Sequence, residues 1–133
     1  MVDALTHDIT VIPAGADVIE WPSDWLRATL GFFTLRALES GPSYGYAIIG
    51  ELEQHGLGTI KGGTLYPLLT RFETSELVVT EWRPGEAGPG RKFFALTPLG
   101  QSELQRLRAD WARFTEISNN YLSVPMPGKE NIA

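Results

Sequence analysis

Residues 84–90, PGEAGPG, constrain the fold of this 133-residue chain more than any other stretch. Two prolines lacking amide hydrogens and three glycines in seven residues exclude a helix, and the segment is too long for a tight turn. A strand-type run flanks it on each side, LVVTEWR at 77–83 and RKFFAL at 91–96. Two strands holding up a long Gly/Pro loop describe a wing.

Three helical patterns precede the wing. Ser23 or Asp24 is placed to cap the first, which runs to about residue 40 before Gly41-Pro42 ends it. Leu26, Leu30, Phe33 and Ala37 form one apolar stripe on it, and Trp25, Ala28, Phe32 and Leu35 a second. A helix apolar on two sides is buried on two sides, and in so small a chain the second side points to a partner subunit. Ser43 is placed to cap a second helix, about 44–55, with Tyr44, Ile48, Leu52 and His55 at helical spacing and Gly56 and Gly58 ending it. In the third, Leu65, Leu68, Leu69 and Phe72 stand at i, i+3, i+4 and i+7. Pro67 lacks an N–H and belongs near a helix start, so Thr64 is expected as N-cap with Pro67 at the third helical position.

After the wing, Thr97-Pro98 opens a long helix to about residue 122, with Thr97 as N-cap. Leu104, Leu107, Trp111, Phe114, Ser118 and Tyr121 alternate spacings of three and four, the seam of helices that pack lengthwise. The expected fold is mainly α with a β-hairpin wing: a winged helix-turn-helix plus a long C-terminal dimerisation helix. Its divisions are an N-terminal arm (1–22), a DNA-binding domain (23–97), the dimerisation helix (98–122) and a disordered tail (123–133). The arm reads equally as short extended pieces packed on the body or as a mobile tail.

A formal net charge of −5 argues at first against nucleic acid. The acidity is uneven, however. Residues 1–22 hold four acids (Asp3, Asp8, Asp17, Glu20) and no Lys or Arg; 23–100 hold seven bases and eight acids; 101–133 hold four of each. Five of the seven middle bases fall on the third helix or the wing. Lys61 stands just before the helix, Arg71 lies on it, and Arg83, Arg91 and Lys92 flank the loop. Ordinary solvated charges would not need that clustering. In a winged helix the third helix enters the major groove and the wing follows the backbone. Tyr66 and Thr64, outside the apolar stripe, offer hydroxyls to a phosphate or base edge, and Ser43 and Tyr44 are placed to reach phosphates.

SYGYAIIGELE at 43–53, GGTLYPLLTRFETSELV at 62–78, EW at 81–82 and GPGRKFFALTPLG at 88–100 together resemble the PadR family of bacterial transcriptional regulators. The resemblance covers about residues 24–122, and the single C-terminal helix is similar to that of the small subfamily. It implies a homodimer, usually a repressor, released from a double-stranded DNA operator by a small molecule or stress signal. It also implies that Tyr66, Arg91 and Lys92 contact DNA and that the last helix pairs with the partner's first. Two departures stand out. Lys61-Gly62 replaces the Ser-Pro or similar polar pair of many members, which adds a base and removes a cap. The arm is longer than usual, with covering the wing, touching a partner and, given its acidity, blocking DNA as its open readings.

Some small members hold flat aromatic compounds between dimer-related tryptophans, and RADWARF at 108–114 puts Trp111 at the matching position. With Trp25, Ala28, Phe32, Leu107 and Thr115 it would line an effector pocket between subunits; alternatively Trp111 packs the dimer core. No enzyme is expected. His7 and His55 are the only histidines, no Ser/His/Asp set, phosphate loop or metal-ligand spacing appears, and Glu51 and Glu53 lie on different sides of a helix. No cofactor and no membrane contact are expected. With no cysteine and a start unlike a secretory signal, the expected location is the cytoplasm. The rival reading is a winged helix used for protein contact that has lost DNA binding.

Overall fold

The computed structural model describes residues 20–85, 88–125 and 127–128. Most of the arm, the end of the tail and two residues of the wing loop therefore lie outside the described residues. The element order is α1 (Ser23–Ala37), α2 (Gly45–Gln54), α3 (Gly62–Thr74), β1 (Val78–Arg83), β2 (Arg91–Leu96) and α4 (Pro98–Ser123). Three helices, an antiparallel hairpin and a long fourth helix make a winged helix. None of the described helices is long and apolar enough to cross a membrane.

The helix starts depart from the expected caps. Neither Ser23 nor Asp24 caps α1; Pro22 is the N-cap, and its carbonyl accepts from Trp25 N and Leu26 N. Ser43 does not cap α2. Its backbone is already engaged in an isolated antiparallel bridge, exchanging hydrogen bonds with Phe94 at 3.0 and 2.7 Å, so Tyr44 takes the N-cap position without a side-chain bond. In α3 the N-cap is Lys61, whose carbonyl accepts from Thr64 N and Leu65 N. Thr64 thus sits inside the helix and Pro67 is its sixth residue, not its third. Pro67 takes away the amide that would bond the Gly63 carbonyl, but Gly63 is exposed and solvent can serve that oxygen.

A single core joins the elements. Leu30, Leu38, Ile48, Leu52, Leu65, Leu69, Val78 and Phe94 pack together beneath the hairpin. In the register Val78 faces Leu96 and Arg83 faces Arg91 across the strands. Period-two alternation puts Val78, Thr80, Trp82, Lys92, Phe94 and Leu96 on the inner face, and Glu81, Arg83, Arg91 and Phe93 on the outer.

The link between α3 and the hairpin is a helix-ending turn in which Glu76 N bonds Glu73 O and Leu77 N bonds Phe72 O. Glu76 takes the left-handed conformation this turn needs, at φ 62°, where glycine is the usual residue. Thr97 caps α4 as expected. Its hydroxyl accepts from Gly100 N at 2.9 Å and donates to Glu76 O at 2.7 Å, with Pro98 in the first turn. A side chain at Gly100 would overlap the Leu77 carbonyl, so α4 and the start of β1 approach as closely as backbones allow.

Leu104 is fully buried within the chain's own fold, so only the part of the seam from Leu107 onward is left uncovered. Farther along, Arg108 forms a two-pronged bridge to Glu39 at 2.8 and 3.0 Å, fixing α4 against the end of α1. The bond from Arg108 holds the Glu39 carboxyl below its usual range. A depressed carboxylate loses its contribution only as pH falls through the lowered value, so the bridge persists through neutral and mildly acid solution.

Replacing Glu76 by Gly should relieve the left-handed strain and stabilise the fold by about 1 kcal/mol after glycine's own entropy is counted. A higher denaturant midpoint with unchanged slope is the expected result; an unchanged or lower midpoint contradicts it.

Candidate nucleic-acid interface

The second and third helices meet through tyrosine packing. Leu65, Leu68 and Leu69 bury one side of α3, leaving Lys61, Thr64 and Arg71 exposed on the rest. Tyr66 is 38% exposed and does not project freely. Its ring lies across Gly45, the first residue of α2, and contacts Tyr46 edge-on at 6.2 Å. A Cβ on Gly45 would overlap the Tyr66 phenol. Burial, and secondarily Tyr46, push the Tyr66 pKa above its ordinary value, so the hydroxyl stays protonated and able to donate. Tyr66 therefore clasps the two helices while part of its surface stays exposed.

The hairpin divides the wing bases between its faces. On the inner face Lys92 reaches Glu73 of α3 at 3.4 Å, and Thr80 donates to the same carboxylate at 2.9 Å. Lys92 thereby helps tie the third helix to the wing, so its charge is partly engaged. Arg83 and Arg91 share the outer face. Arg83 lies over Phe93 at 4.3 Å and contacts Glu81 at 3.2 Å. Arg91 lies over Tyr44 at 4.6 Å, and Tyr44 packs on Phe93 at 5.2 Å. Lys61, Arg71 and Arg91 meet no carboxylate within ion-pair distance among the described residues.

A cleft of 1020 Å³ separates the helices from the wing, with Tyr46 and Tyr66 on one wall and Trp82, Arg83 and Arg91 on the other. That volume stands at the top of the range for small-ligand sites and is ample for a stretch of sugar–phosphate backbone. Ser43 and Tyr44 border the wing through β2, and Lys61 and Thr64 stand at the start of α3. The sequence reading missed Tyr46, Glu81, Trp82 and Phe93. Strand alternation carried the signal for the last three, because Glu81 and Phe93 are in phase with Arg83 and Arg91, and Trp82 with Lys92.

At the other end of the molecule, Phe32 meets Trp111 at 6.2 Å and Trp111 meets Phe114 at 6.1 Å. Leu107 is half-buried, Ala28 is exposed, and the Thr115 hydroxyl donates to Trp111 O. Trp25 is not part of this group within the single chain. It stacks on Trp21 at 6.4 Å, and Trp21 is pinned by its indole N–H to Gly56 O at 2.7 Å. No group of side chains suited to hold a metal ion occurs among the described residues.

A model of the transcriptional regulator PadR-like family matches residues 34–106. An uncharacterised protein of Lysinibacillus sphaericus is 30% identical over 102 residues, covering 75% of this chain and 94% of its own. A transcriptional regulator of Mycobacterium tuberculosis is 32% identical over 81 residues, covering 61% of this chain and 74% of its own. The crystal structure of a PadR family transcriptional regulator from Eggerthella lenta superposes with a TM-score of 0.69 at 32% identity, covering 77% of this chain and 89% of that one.

Substituting Gly45 by Ala should displace Tyr66 and cost about 1–3 kcal/mol, despite alanine's better helix propensity. In a Tyr66→Ala background the same change should be neutral or stabilising. Equal losses in both backgrounds, measured by chemical denaturation, would show that Tyr66 is not the obstacle.

Proposed function

The chain belongs to the transcriptional regulator PadR-like family, and on that premise we propose that it binds an operator in double-stranded DNA as a homodimer and represses transcription until a small-molecule or stress signal releases it. As a member of a family of transcriptional regulators it is a DNA-binding regulator and not an enzyme. The observation that carries the finer reading is the cleft between the tyrosine-clasped helices and the wing, whose cationic wall comes from Arg83, Arg91 and Lys92. Ser43, Tyr44, Lys61, Thr64, Tyr66 and Arg71 complete the proposed DNA-facing set. Charge there is local, which reconciles DNA binding with an acidic chain: steering depends on the field near the site, not on the total.

Dimerisation is supported by what α4 leaves uncovered. Trp111 is 40%, Phe114 62%, Ile117 55% and Tyr121 71% exposed in the single chain. Contiguous large apolar side chains on one helix face mark an interaction surface. The seam of Leu107, Trp111, Phe114, Ser118 and Tyr121, with Ile117 beside it, would lie against the doubly apolar α1 of a second copy. The proposed effector is a flat aromatic compound at the Phe32–Trp111 pair, with Leu107 and Thr115 alongside and Trp25 and Ala28 supplied across the interface.

Fluorescence anisotropy with a labelled duplex from upstream of the chain's own gene tests the regulator reading. Binding should weaken steeply with salt. Phe114→Glu should give monomers by sedimentation and lower operator affinity about a hundredfold or more, because two tethered half-sites bind together. Absence of binding to any duplex at low salt, with a stable protein complex instead, would establish the protein-contact alternative. Flat aromatic compounds should quench the tryptophan emission in the native chain and leave that of Trp111→Ala unchanged; equal quenching in both excludes the pocket.

A further inference from the structure

The outer face of the hairpin carries four side chains whose arrangement the general regulator reading does not explain. Arg83 and Arg91 are directly cross-strand, so two like charges sit side by side at the loop base. Such a pair destabilises a hairpin unless something offsets it. Here each guanidinium lies over an aromatic ring, Arg83 on Phe93 and Arg91 on Tyr44, and the two rings pack on each other. Glu81, the cross-strand partner of Phe93, meets Arg83 from the same face.

We propose that Tyr44 and Phe93 form an aromatic shelf that presents Arg83 and Arg91 together to the DNA phosphate backbone, and that Glu81 occupies Arg83 until a phosphate displaces it. The inference rests on the DNA-binding reading and deepens it. A guanidinium held over a ring face engages the ring through its charge and leaves N–H donors for two phosphate oxygens. Stacking also removes side-chain freedom before binding, so less is lost when the phosphate arrives. Tyr44 is fixed by its place beside the Ser43–Phe94 bridge, which makes the shelf continuous with the start of α2.

Phe93 is thus a positioning residue, acting through the guanidinium it carries. Glu81 acts in the opposite direction. Its carboxylate neutralises Arg83 in the free protein and is repelled by an approaching phosphate, so it holds affinity below what the bases alone would give. The Arg91 guanidinium meets no such competitor among the described residues and is the first of the pair available to DNA.

The test uses the full chain, with anisotropy titrations against a labelled random-sequence duplex at low salt, where phosphate contacts dominate, and against its own upstream region. Phe93→Leu should lower affinity about two- to fivefold, and Phe93→Tyr should retain it. In an Arg83→Ala background Phe93→Leu should cost clearly less than in the native chain, leaving only its support of Arg91 through Tyr44, which a merely structural role would not produce. Glu81→Gln, at an exposed site that does not disturb folding, should tighten binding about two- to fivefold. The shelf is overturned if folded Phe93→Leu binds as the native chain does, if its loss is the same with and without Arg83, or if Glu81→Gln fails to tighten binding. Failure of the native chain to bind either duplex overturns the DNA-binding reading itself.

Discussion

Thr97 joins three parts of the molecule through one residue. Its hydroxyl accepts from the first turn of α4 and donates to Glu76 at the end of α3, while its amide bonds Leu77 where β1 begins. Gly100 makes this junction possible, since any side chain there would strike the Leu77 carbonyl. The direction in which the last helix leaves the winged unit is therefore set by backbone contact, which is stiffer than side-chain packing. Arg108 and Glu39 supply the second fixed point, farther along α4 against the end of α1. Between these points Leu104 is sealed in the core, and beyond them the helix exposes its aromatic face.

The same junction gives the third helix and the hairpin a common base. Glu73, near the end of α3, then binds Thr80 and Lys92 on the hairpin, so the helix and the wing meet at their stems. Tyr66 makes the corresponding tie between α3 and α2 by lying on Gly45. The cleft between helices and wing is bounded by elements fixed on both sides, which is what a rigid groove for a stiff polymer requires.

Charge is used sparingly. In an acidic chain the bases of the third helix and wing carry different duties. Lys92 is drawn inward to a carboxylate of α3, Arg83 is shared between a ring and an acid, and Lys61, Arg71 and Arg91 meet no acid among the described residues. Counting bases along the sequence treats these five alike. Period-two geometry separates Lys92 from Arg83 and Arg91, because neighbouring residues on a strand point to opposite faces.

Elements and their order were legible in the sequence, since periodicity and proline and glycine punctuation are local. The stripe at Leu65, Leu68, Leu69 and Phe72 marked α3, the 84–90 segment marked the wing loop, and Thr97-Pro98 marked the start of α4. Thr97 was readable as a cap because its bond to Gly100 lies within one turn. Ser43 and Thr64 were misread for the opposite reason. Ser43 is claimed by a strand fifty residues away, and the start of α3 is set by the Lys61 backbone and not by a side-chain hydroxyl. The clasp of Tyr66 on Gly45, the diversion of Lys92 to Glu73 and the shelf beneath Arg83 and Arg91 were equally out of reach. The sequence by itself determined that this chain carries three helices, a wing, a long last helix and bases near the wing. Only the tertiary structure decided which of those bases face outward, because that depends on contacts between residues distant in the chain.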